Sequence, residues 1–287
     1  MFTVVLLVGC LLFLVVVCIM ENMVFRHGAK NTLKQMQTIY SGEHEYTSAD
    51  WRNFPRIDID FYNGNAAFLE KEKFRVLGDI ENVTASNAFP WMRTFIRNLA
   101  SEDGVVSVGM YYLNPRGLTG LICKLLLRMK ARGYVDFETE IRSVWTAKDA
   151  DGQERQEVRS VFIITSNADL AGRLEQPPQF FALHYPAATP VDMLLSRHLE
   201  RVENARKVIH GHQTNHFFEI KNLVDSIAMQ HRMELIKTEF RKNIGLVNRE
   251  ELRRIGGAEM TDEADRLYEE IMAEKAPRKT PEENHPD

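Results

Sequence analysis

The chain has 287 residues, with 36 Lys and Arg against 40 Asp and Glu, and a formal net charge of −4. That balance excludes a general nucleic-acid binder, because no basic field draws phosphate in. Its hydrophobic fraction of 44% is enough for a sizeable core, and its three cysteines exclude a disulfide framework.

Residues 3–20 carry no charge, and Cys10 and Cys18 both lie within them. As a helix they cover ~27 Å, close to the ~30 Å hydrocarbon core of a bilayer. A cleaved signal peptide needs a basic start, a shorter apolar core and a small-x-small site. Met1-Phe2 supplies no basic residue, and Glu21-Asn22-Met23-Val24 supplies no such site. Leu7-Val8-Gly9-Cys10 fits a lipobox, but the apolar run continues well past it. The stretch therefore reads as an uncleaved anchor. Arg26, Lys30 and Lys34 flank its C-terminal end. The positive-inside bias then expects a single-pass protein of the cell inner (cytoplasmic) membrane, with its body in the cytoplasm.

Beyond the anchor (1–25) and a juxtamembrane helix and linker (26–62), the pattern predicts an α+β domain over 63–188. Arg56 to Phe61 alternates as a strand would, which places Asp58 and Asp60 on one face. Asn63-Gly64-Asn65 reads as a turn that caps a short helix from Ala66 to Phe74. Strands follow near 80–84, 91–99 and 105–113, with Glu102-Asp103-Gly104 as a hairpin turn. Two more, from Val135 toward Trp145 and from Val158 to Thr165, continue an antiparallel meander with one polar and one buried face. Phe180 to Tyr185 reads as a last strand.

Thr189-Pro190-Val191-Asp192 opens a helix that runs to about Ile209. A second helix from about Thr214 places Phe217, Ile220, Val224 and Ile227 on one face, so the region 189–257 reads as a helical hairpin. Asn248 and Glu251 form a capping pair for a brief third helix, and Thr261 caps a fourth. The segment 258–287 is then a short helix and a disordered tail.

One insertion interrupts the meander. Residues 115–133 hold no acid but five basic residues. At 100° per residue, Leu118, Leu121, Ile122, Leu125 and Met129 form an apolar arc, with Lys124, Arg128 and Lys130 outside it. A basic amphipathic helix lies in a membrane interface, with anionic lipids as its contact. The same pattern also suits a helix packed on the open face of the sheet.

Chemistry is sparsely signalled. His210, His212 and His216 cluster, with His184 and His198 upstream, and His212 and His216 share a helix face at i, i+4. Imidazole pairs of this kind bind zinc, but no acid or Cys stands at ligand spacing beside them. Gly104 to Gly109 lacks the glycine that a nucleophile elbow needs two before Ser107. No phosphate-binding glycine motif occurs, and no cofactor is expected.

Phe74-Arg75-Val76-Leu77-Gly78-Asp79, the strand end Thr165-Ser166-Asn167 and the helix carrying Leu194, Leu195 and His198 together resemble a group of bacterial membrane-anchored proteins of uncharacterised function. The resemblance covers roughly residues 63–204. It implies an anchored α+β architecture and transfers no catalytic residue. Two readings remain. One is a non-catalytic binding or scaffolding module at the inner leaflet, with a protein partner as well as the bilayer. The other is an enzyme on a membrane-proximal or lipid substrate, with the His cluster as a metal or acid–base site. A deep pocket in which His184, His198 or His212 converge would favour the second.

Overall fold

The computed structural model describes residues 37–40, 43–54, 56–117, 120–121, 130–148, 154–168, 174–209, 215–244, 248–256 and 261–275. They fall in two compact units, Gln35–Asn243 and one that includes Ile244 onward. The larger unit is α+β, with an antiparallel-rich sheet. No helix among the described residues is long and apolar enough to cross a membrane. Residues 3–20 lie outside them.

The sheet strands are β1 (Tyr46–Ser48), β2 (Phe74–Asn82), β3 (Ile96–Ser101), β4 (Ser107–Leu113), β5 (Arg132–Lys148), β6 (Glu154–Ser166) and β7 (Phe180–His184). They lie side by side in chain order. All these pairs are antiparallel except β6 with β7, which is parallel. A three-residue strand, β8 (Asn215–Phe217), pairs with Ile141–Ser143 of β5 beyond the end of β4. The expected meander is therefore present as far as β6. Its last strand runs the other way because the chain crosses from the end of β6 at Ser166 back to Phe180 before pairing.

Two helices cover one face, α1 (Ile59–Lys71) and α3 (Val191–Ile209). Tyr62, Ala66 and Leu69 of α1 and Leu194, Leu195 and Val202 of α3 join Phe95, Leu99, Val108, Met110, Val135 and Phe137 in one core. A short helix, α2 (Val83–Ala88), follows β2 and is capped by Asn82, whose side chain accepts from Ala85 N at 2.9 Å. The opposite face is covered by α4 (Leu223–Asn243), whose Met229 and Met233 pack on Phe162, Ile164 and Phe180.

Two expectations are corrected here. Arg56 to Phe61 is not a strand: Asp58 accepts from Phe61 N at 3.1 Å and caps α1. The helix continues through Asn63-Gly64-Asn65, of which Asn63 and Gly64 are exposed and Asn65 is half-buried, because burial at positions 62, 66 and 69 recurs at helical spacing. Nor do the helices after residue 189 form a hairpin. α3 and α4 lie on opposite faces of the sheet, and the residues expected to begin the second helix form β8 and a strap instead. Ile220 N of that strap donates to Gly104 O at 2.8 Å, and Arg75 donates to Ile220 O at 3.1 Å. The strap passes so close that a Cβ on Gly104, whose φ is +73°, would sit 2.9 Å from Ile220 O.

The smaller unit is described by two helices, α5 (Arg249–Gly256) and α6 (Thr261–Lys275). The expected capping pair is formed. Glu251 N donates to Asn248 Oδ1 and Asn248 N to Glu251 Oε2, both at 2.9 Å. Arg253 then clamps Asp265 of α6 through two bonds of 2.7 Å.

Candidate functional site

β5 alternates with a period of two, so its odd and even positions meet different helices. Val135, Phe137 and Thr139 face α3. Asp136, Glu138 and Glu140 face α4. The expected polar face is thus not a solvated one: Glu138 is 6% exposed and Glu140 is fully buried. Register extends each acid into a row across three strands. Asp136, Ser166 and His184 stand abreast, then Glu138, Ile164 and Ala182, then Glu140, Phe162 and Phe180.

The three carboxyls have different surroundings. Glu140 accepts from Arg232 (Nε to Oε1, 3.0 Å), Arg142 (2.9 Å) and Ser160 (2.7 Å). Burial pushes its carboxyl up, but these donors outweigh it and hold it below the usual range. Phe218 stacks under both cations, with Arg142 at 3.8 Å and Arg232 at 4.6 Å from its ring centre. That group is saturated, and it reads as structure.

Glu138 is different. Gln230 of α4 donates to its Oε2 at 2.5 Å, and burial, with Asp136 beside it, pushes its carboxyl up to about 8. Its surroundings thus favour the protonated form. Directly opposite on β4, Ser107 is 1% exposed, and its hydroxyl finds no partner among the described residues. Asp136 accepts from Ser166 at 2.5 Å, yet burial still raises its carboxyl. Burial also pushes the Tyr111 phenol well above its ordinary value.

His184 closes the first row. Both of its ring nitrogens are sealed from solvent; no hydrogen bond of good geometry reaches them among the described residues, although the Ala168 backbone lies near enough to favour a proton on the ring. Burial lowers its tendency to take a proton, against the pull of Asp136.

Asp136, Glu138, Ser166 and His184 line a cavity of about 220 Å³ together with Tyr111 from β4. α4 closes it with Met233, Lys237 and Arg241, and residues 174–177 form a wall. The cations already have acceptors: Lys237 donates to Glu234 at 2.8 Å, and Arg241 donates to the Glu175 carbonyl at 2.6 Å. Despite being buried, Lys237 is held above its ordinary range by Glu234.

The upstream histidines do not converge. His198 lies on the α3 side, fully buried, with Nε2 3.0 Å from Thr139 Oγ1 and Nδ1 3.1 Å from Thr165 Oγ1. Burial holds it neutral, with a value near 3. His210 and His212 lie outside the described residues, and His216 is exposed on β8. Among the described residues no group of three His, Cys, Asp or Glu side chains could hold a metal ion. Of the membrane-interface residues, Leu118, Ile122, Lys124, Leu125, Arg128 and Met129 lie outside the described residues, while Leu121 and Lys130 are exposed. Asp58 is an N-cap and Asp60 lies in the first turn of α1, so this pair is no carboxylate site.

Ser166 invites comparison with a catalytic serine, and its bonding argues against one. Its hydroxyl donates to Asp136 and accepts from Ala168 N at 2.8 Å, so its proton is committed to a carboxylate, and among the described residues no bond joins it to the His184 ring. Sequence reasoning missed this site because β5 alternation alone does not reveal what covers each face. The signal lay in α4, where Met229 and Met233 alternate with Gln230, Arg232 and Lys237. Compared with protein-family models, with curated proteins and with solved structures, the chain matches none.

Proposed function

We propose that this protein is a single-pass membrane-anchored module whose body faces the cytoplasm at the inner membrane and binds a small polar molecule without transforming it. The anchor rests on the uncharged run 3–20 and its basic flank. The binding role is carried by one observation. The cavity under α4 gathers titratable groups, yet among the described residues it offers no nucleophile with a base positioned to activate it. The basic insertion, with Leu121 and Lys130 at the surface, serves this reading as a second contact with anionic lipid.

Purification of the full chain in mild detergent, with mass spectrometry of the bound small molecules, tests the binding role. A stoichiometric small molecule that is lost in His184→Phe supports it. An empty cavity in protein drawn directly from native membranes refutes it. Topology is read separately, by reacting Cys123 with a membrane-impermeant thiol reagent after denaturation with and without permeabilised cells. Reaction in intact cells would place the body outside.

A further inference from the structure

The end of the sheet from which the basic insertion departs gathers arginines from three separate segments. Arg56 precedes α1, Arg93 follows the single turn Pro90–Met92, and Arg116 lies at the start of the insertion. Hydrogen bonds tie these segments together. Arg116 N donates to Trp91 O at 2.9 Å, and Arg116 Nη2 donates to Arg93 O at 2.7 Å. Asn114 Nδ2 donates to Arg56 O at 2.9 Å, and Arg56 sits in the left-handed region with a φ of +63°. A bulky residue stays in that region only where its surroundings hold it, and such positions gather at binding sites.

The charges are unevenly matched. Glu81 grips Arg93 through bonds of 2.6 and 2.8 Å, and the same guanidinium lies 4.7 Å over the Phe54 ring. Asp50 takes the neighbouring Arg52 at 3.4 Å, while Asp58 and Asp60 serve the N-terminus of α1. Among the described residues no acid pairs with Arg56 or Arg116, and residues 115–133 hold none. Arg116 Nε is sealed from solvent without an acceptor. Burial first, then the nearness of Arg93 and Arg56, weakens the hold of its guanidinium on the proton. Guanidinium groups crowded in this way are relieved by an oxyanion between them.

We propose that Arg56 and Arg116, with Arg93 beside them, hold the phosphate of an anionic phospholipid. This rests on the membrane contact proposed above for the insertion and names the lipid site beside it. Guanidinium suits phosphate because its planar fork offers parallel donors to two oxygens. The Arg116 bond to Arg93 O lies at the surface, which leaves Nη1 and the second hydrogen of Nη2 for the ligand. Exposed apolar side chains in the same segments favour a lipid over a free phosphate. Trp51, whose carbonyl accepts from Phe54 N at 3.0 Å, is 41% exposed. Leu121, next to Gly120, whose N donates to Arg116 O at 2.9 Å, is 53% exposed. Tryptophan at headgroup depth and leucine among the acyl chains are the composition of an interface contact. One phosphate contact is weak for a free body, and the anchor compensates by keeping the body beside the bilayer.

Native mass spectrometry of the full chain in mild detergent, titrated with phosphatidylglycerol or phosphatidylcholine, tests the site. A basic side chain at an anionic surface is worth about fivefold in affinity, so the parent should prefer phosphatidylglycerol by about tenfold or more. Arg56→Gln with Arg116→Gln should cut that preference by about fivefold or more, in a variant whose circular dichroism matches the parent. Arg56→Lys with Arg116→Lys keeps the charge but loses the fork, and should fall between the two. A lysine pair that binds as well as the parent reduces the site to diffuse charge and overturns it. Replacing Lys124, Arg128 and Lys130 by Gln probes the insertion separately. If the glutamine pair keeps the preference while this triple variant loses it, the arginine site is overturned and the insertion contact stands. If neither changes it, both are overturned. Saturable binding of inorganic phosphate at micromolar concentration, read by titration calorimetry, overturns the lipid assignment in favour of a soluble phosphate compound.

Discussion

Glu138→Gln should flatten the pH dependence of stability near neutrality. In the folded chain the Glu138 carboxyl is pushed up to about 8, from 4.5 in the absence of burial. Between those values the folded state holds a proton that the unfolded state has lost, so stability falls as pH rises and levels off above about pH 8. At ~1.4 kcal/mol per unit, the fall between about pH 6.5 and pH 8 amounts to roughly 1.6 kcal/mol. Glutamine keeps the shape and still accepts the bond from Gln230, but cannot ionise. Urea melts of parent and variant at pH 6.5, 7.2 and 8 should therefore show the variant gaining on the parent by that amount. Glu140→Gln is the contrasting control. Its carboxylate is ionised and clamped by Arg232 and Arg142, so its loss should cost about 3 kcal/mol at every pH tested. Parallel pH profiles for the parent and Glu138→Gln would refute the reasoning.

Two further predictions test the packing. His198→Ala removes the ring from between the Thr139 and Thr165 hydroxyls, of which Thr165 keeps Arg201 as a donor at 2.8 Å, and with the new hole should cost about 3 kcal/mol, read by urea melts. His198 is held near 3, so the parent loses stability as pH falls from about 6.5 toward 3; the variant should lose that slope, and an unchanged slope would assign it elsewhere. Gly104→Ala meets Ile220 O at 2.9 Å in a left-handed conformation and should cost about 2 kcal/mol, with faster hydrogen exchange at Ile220 N. Parent-like exchange there would mean that the strap does not depend on Gly104.

Elements with strong local chemistry were legible in the sequence. The start of α3 follows from Thr189-Pro190-Val191-Asp192, and its end at Ile209 agrees with the expected one. The Glu102-Asp103-Gly104 turn and the Asn248 and Glu251 cap behave as their residue types require. Illegible parts depend on what arrives from far away. Asp58 could begin a helix or lie in a strand, and the burial of Tyr62 against Phe95 decides it. Ile220 has helical spacing with Phe217 and Val224, yet it is drawn into a strap by Gly104. The site was hidden for the same reason. Alternating acids on β5 read as a wetted face until α4, about ninety residues later, is known to lie over them.

β5 also fixes its own alignment. A slip of one residue against β4 and β6 would exchange Val135, Phe137 and Thr139 for Asp136, Glu138 and Glu140. Three acids would then enter the apolar layer beneath α3, far from Arg232 and Gln230, while Phe137 turned toward the polar cavity. Every mispaired sheet is heavily penalised by a handful of side chains on one strand. The three acids of β5, two of which line the cavity, therefore double as a proofreading device for folding. Neutralising all three together should give a chain that still collapses but pairs its central strands in more than one alignment, a defect that no single replacement would reveal.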